Sequence, residues 1–176
     1  LARAAPAQGA SRTPRDLRLA LGALALTTAL GIVLALALSQ GLPLPVALPT
    51  LVDLHAVWAW MGWGGVLLAA TSWVVVPMFQ ITPAYPANFT RFWAPAALIA
   101  LGVWSFALIT AIASLKLALS AVLLVMASGF ALQTLKLQRN SRRSTPDAPF
   151  RAFRLAMIAL LGSLIALLVS LTHDAP

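Results

Sequence analysis

The chain has 176 residues, 61% hydrophobic and 9% charged, with a mean hydropathy of +0.91; that balance lies outside soluble globular domains and makes the lipid bilayer its solvent. It contains no cysteine, which excludes disulfides, zinc thiolate sites and cysteine-ligated iron–sulfur clusters. The net charge of +8 comes from basic residues that flank apolar stretches, where they set orientation and meet anionic headgroups, so no nucleic-acid partner is implied.

Residues 1–16 are rich in Ala, Ser, Pro and Arg and read as a basic cytoplasmic tail, with a targeting segment as the alternative. Residues 17–39 then form an apolar run whose one charge is Arg18 at its start. A span needs about 20 residues and a signal-peptide core about 7–15, so a retained first helix is expected, with the Ala37-Leu38-Ser39 cleavage-like triplet as the competing signal. The connection from Gly41 to Pro49 carries three prolines and no charge and reads as a short stiff loop.

The second span, 51–78, carries His55, Asp53 and Trp58, Trp60, Trp63 and Trp73. Thr50 or Asp53 is expected to cap it. At helical spacing Ala59, Gly62, Gly65, Ala69 and Ser72 draw a stripe of small side chains, a face that lets helices approach closely in lipid. His55 lies one turn before Ala59, at the head of that stripe. Its imidazole either hydrogen-bonds a neighbouring helix or water, or ligates something flat lying in the groove. The tryptophans suit a membrane interface and helix packing better than an electron route.

Three prolines, Pro77, Pro83 and Pro86, take the chain out of this helix. A third span is expected over 92–113 and a fourth over 115–135, with Ser114 and Lys116 as the turn signals between them. The following loop holds Lys136, Arg139, Arg142, Arg143, Arg151 and Arg154 against Asp147; Arg139, Arg142 and Arg143 read as topology and anionic-lipid contacts. A fifth span, 155–171, leads to a short tail, 173–176, that opens on His173. The expected architecture is an all-α polytopic bundle of about five transmembrane helices in one domain, 17–172. The basic flanks place the amino terminus in the cytoplasm and the carboxyl terminus outside, in a bacterial-type inner membrane, with Asp53, His55 and His173 near the outer face.

From His55 to Trp104 the sequence resembles the second and third transmembrane helices of subunit I of haem–copper oxidases and nitric-oxide reductases, and related NnrS-like membrane proteins. The residues that carry the resemblance are His55, Met61, Ser72-Trp73-Val74-Val75-Val76-Pro77, Gln80 through Pro86, and Phe92-Trp93. The resemblance implies that His55 is an axial ligand of a low-spin haem, with Trp58 and Gly62 beside the cofactor. His173 is the chain's other imidazole and the candidate for the opposite axial position. Ala56 stands where that family has glycine after the histidine. Its copper-ligating histidines have no counterparts, so no copper site can be completed from this chain.

No facing carboxylate pair, Gly-rich phosphate loop or HExxH motif accompanies these residues, so the isolated chain is expected to be a poor catalyst by itself. The expected function is a haem-associated membrane protein with a role in electron transfer or diatomic-gas (O2 or NO) handling. The competing readings are a non-catalytic subunit or assembly factor that packs against a larger membrane complex through its Gly/Ala face, and a small-solute permease.

Overall fold

The computed structural model describes residues 12–41 and 43–173, with side chains through residue 169. Five helices make up the fold: α1 Thr13–Gln40, α2 Leu48–Gln80, α3 Ala87–Ile109, α4 Ala113–Arg139 and α5 Ala148–His173. No strand occurs among the described residues, and all five helices are long and apolar enough to cross a membrane. The chain is an all-α, multi-pass membrane protein, as its composition requires: in lipid each backbone polar group must be satisfied inside its own segment.

The helix ends follow local chemistry. In α1 Pro14 occupies the first turn, where its missing N–H costs nothing, and Gly41 closes the helix at φ 65° with its N–H on the Ala37 carbonyl. In α2 Pro49 plays the same role behind Ala47, so the helix begins before Thr50 and Asp53 and neither residue caps it. The break between α3 and α4 falls at Thr110–Ile112, ahead of the expected Ser114 and Lys116, which instead lie in the first turn of α4. Ala111 makes that turn at φ 57°. A left-handed alanine costs about 1–2 kcal/mol, and nothing in its side chain announces it. Helix α4 runs on to Arg139 and α5 begins at Ala148, both past the apolar runs, because Lys and Arg stems extend a helix into the interface.

Neighbouring helices pair antiparallel. Contacts join Ala23 to Gly62, Trp58 to Ser105, and Trp104 to Ser120. Helix α2 is the axis, touching α1 along most of its length and α3 across its middle, while α5 packs mainly on α4. Indole N–H groups tie the helices together: Trp58 donates to the Ser105 hydroxyl at 2.9 Å, Trp93 to the Met126 carbonyl at 3.0 Å and Trp104 to the Ser120 hydroxyl at 2.9 Å. These bonds suit a bundle in which packing and polar contacts, and not a hydrophobic force, hold helices to one another.

The end that carries the basic residues is the best packed. Trp73 is buried and stands edge-on to Tyr85, Phe89, Trp93 and Phe130, with ring centroids 4.8–6.4 Å away. Its indole donates to Asp16, a fully buried carboxylate that also pairs with Arg15 at 2.7 Å. The same guanidinium reaches the Arg91 carbonyl at 3.0 Å. That carbonyl has no intrahelical donor, because the residue four positions on is Pro95. One arginine therefore neutralises a buried acid on α1 and repairs a proline defect on α3.

Helix α2 is closed by the α4–α5 loop. Ser141 donates to the Gln80 carbonyl at 2.6 Å, the Arg142 N–H to that of Ile81 at 3.0 Å, and the Arg143 guanidinium to that of Phe79 at 2.8 Å. A cation over the last carbonyls of a helix also opposes the negative end of its dipole. Arg143 is thus a capping residue, further held by Asp147 at 2.8 Å, while Arg139 and Arg142 keep exposed side chains.

Candidate functional site

Three residues after His55, α2 widens into a π-helical segment, Trp58–Gly65. Its sequence, WAWMGWGG, supplies the cause: glycine leaves room for an indole to lie against the backbone, and the Trp58 ring sits 2.9 Å from where a Gly62 Cβ would be. A π-helix turns more slowly than 3.6 residues, so the stripe drawn by α-helical spacing divides. Gly62 is buried against Ala23 of α1 and Leu101 of α3. Gly65, half-buried, rotates away into a cleft, and Ala69 and Ser72 return to the core. Ala59 is half-buried. The Gly62 part of the small-residue face is therefore filled from inside the chain.

His55 bonds the neighbouring helix. Its Nδ1 lies 3.1 Å from the Thr27 carbonyl of α1, and the half-buried ring rests on Gly31, whose absent Cβ would stand 3.0 Å from Cε1. A carbonyl can only accept, so the contact is a hydrogen bond when Nδ1 carries the proton, and in the neutral ring that leaves Nε2 with its lone pair. Nε2 has no hydrogen-bond partner among the described residues. Glycine within an apolar helix costs about 1 kcal/mol against alanine, and here the imidazole occupies the space that the missing methyl leaves.

A lateral cleft of about 800 Å³ lies on another face of α2, walled by α2 and α5 and floored by α4 with Trp93 and Trp104 of α3. Gly64, Gly65 and Leu68 face Met157, Leu160 and Leu164 across it. Asp53 lines its His55 end, and the exposed Trp60 lines it about two turns further along α2. His55, Trp58 and Gly62 do not line it; each is turned toward α1 or α3 instead. His173 ends α5, and its side chain lies outside the described residues. The structure thus brings His55 together with Thr27 and Gly31, and Trp58 together with Gly62, as two separate contacts. Among the described residues no group of three or more His, Cys, Asp or Glu side chains is arranged to hold a metal ion.

The residues that composition left unmarked are Asp16, Thr27 and Gly31. Asp16 beside Arg15 reads as a solvated pair, and a main-chain carbonyl such as that of Thr27 has no sequence signature at all. Gly31 does carry a signal, since a glycine inside an uninterrupted apolar helix calls for a packing reason. No protein-family model, curated protein or solved structure matches this chain.

Proposed function

We propose that the chain is a haem-binding module of a larger membrane redox or gas-handling assembly, in which Nε2 of His55 would hold the haem iron. The observation that carries this reading is the 3.1 Å contact between His55 Nδ1 and the Thr27 carbonyl. Iron-ligating imidazoles are held in this way, with the second nitrogen donating to a carbonyl or carboxylate that sets tautomer and ring plane. The chemistry of an imidazole held in this way fits a ligand to haem iron. Thr27 would hold the proton at Nδ1 and Gly31 makes room for the ring, leaving Nε2 as the atom that would hold the iron. Bound haem would supply electron transfer or diatomic-gas binding at its iron.

His55 is the one imidazole among the described side chains, and the reading is therefore of a module whose haem site other helices would complete. The basic flanks support an amino terminus in the cytoplasm and His55 near the outer face of a bacterial-type inner membrane. The test is a reduced-minus-oxidised absorption spectrum of the detergent-purified chain from haem-replete cells, with a pyridine haemochrome assay for stoichiometry. A low-spin signal that disappears in His55→Ala is the expected result. Colourless protein that also takes up no added haem contradicts the reading.

A further inference from the structure

The cleft between α2 and α5 is independent of the imidazole and has its own chemistry. Its volume of about 800 Å³ lies within the range of sites that enclose small molecules, and its walls are almost wholly aliphatic or aromatic. Ser120 also lines it, with its hydroxyl already bonded to the Trp104 indole and the Lys116 carbonyl, and the remaining polar side chain is at the His55 end. There the Asp53 carboxylate lines the cleft, exposed and without a cation partner among the described residues. Trp60, 82% exposed, lines the cleft about two turns further along α2 and adds an aromatic wall. Among the described side chains at this end, neither Lys116 nor His55 lines the cleft.

An apolar trough whose end carries a carboxylate with no cation partner among the described residues is complementary to an amphiphile that joins an apolar chain to a cation. We infer that the cleft holds an acyl chain of a phospholipid with a primary-amine headgroup, whose ammonium pairs with Asp53. An anionic phospholipid in the same seat would set its phosphate near the carboxylate with no cation between them. Met157 and Met61 add flexible thioether side chains that adapt to an acyl chain's irregular path.

The experiment is native mass spectrometry of the full chain equilibrated in detergent with equal amounts of phosphatidylethanolamine and phosphatidylglycerol of matched chain length. The wild type retains phosphatidylethanolamine over phosphatidylglycerol by about two- to fivefold, the scale of an exposed ion pair. Asp53→Asn, at an exposed position, brings that ratio to one. Ala127→Phe, which narrows the trough, lowers retention of both lipids. Equal retention by the wild type, or a preference unchanged in Asp53→Asn, overturns the inference. So do disulfide-linked dimers formed in native membranes by a Trp60→Cys variant, which would seat a second copy of the chain on the cleft.

Discussion

The two ends of the bundle are built on opposite terms. At the basic end Asp16, Trp73 and Arg15 neutralise and bond one another, five aromatic rings interlock, and the last carbonyls of α2 receive donors from the α4–α5 loop. At the other end His55 Nε2 and Asp53 have no partner among the described residues, and α2 and α5 stand apart over an apolar cleft. Even the closely packed basic end leaves one buried oxygen, Gln138 Oε1, without a partner among the described residues. Between the two lies the π-helical segment of α2, which turns Gly62 into the packed side and Gly65 into the open one.

The largest expected effect breaks the packed end. Trp73→Ala removes a buried indole from four ring contacts and takes a donor from Asp16, at a cost of about 3–5 kcal/mol. Thermal unfolding in detergent, followed by circular dichroism, should show a greatly lowered midpoint or no folded yield. Next comes Gly62→Leu, whose side chain meets Trp58 and Leu101 within 3.1 Å at its first carbon. Overpacking of this kind costs about 1–3 kcal/mol and should lower the same midpoint less.

A smaller effect belongs to Tyr85, the chain's one tyrosine, in the connection between α2 and α3. Thr134 gives its own hydroxyl proton to the Phe130 carbonyl, so Tyr85 is the donor in their 2.8 Å bond. Burial pushes the Tyr85 phenol up, and the folded state therefore favours the protonated form. That contribution is fully present below the unfolded phenol's pKa of about 10 and is lost as pH rises toward the folded value. Tyr85→Phe should cost about 1 kcal/mol at neutral pH. Above pH ~10 it should lose stability less steeply than the wild type, which parallel melts would reveal. Asp53→Asn should change the midpoint least, by under about 0.5 kcal/mol, because the open end contributes little to stability. A large loss there would erase the contrast between the ends.

The five helices are legible as apolar runs bounded by proline, glycine and basic residues, and the all-α membrane fold follows from them. What escaped the sequence has physical causes. The stripe from Ala59 to Ser72 presumes a period of 3.6, which the glycine- and tryptophan-rich segment abandons. The α3–α4 turn rests on Ala111, a residue that signals helix. Asp16 looks solvated beside its arginines until the Trp73 indole, 57 positions away, is seen to bond it. His55 stands out by residue type and place, yet its partner is a main-chain carbonyl, which any residue could have carried.

The central claim is that α1 holds the His55 proton on Nδ1 and leaves Nε2 open. Nitrogen-15 NMR of histidine-labelled chain without haem tests it directly, because the chain has two histidines and His173→Gln leaves one signal set. A protonated Nδ1 with a bare Nε2, and an Nε2 resonance that alone moves strongly when haem is added, is the predicted result. A proton on Nε2, with Nδ1 bare, would contradict both the Thr27 contact and the ligand role built on it.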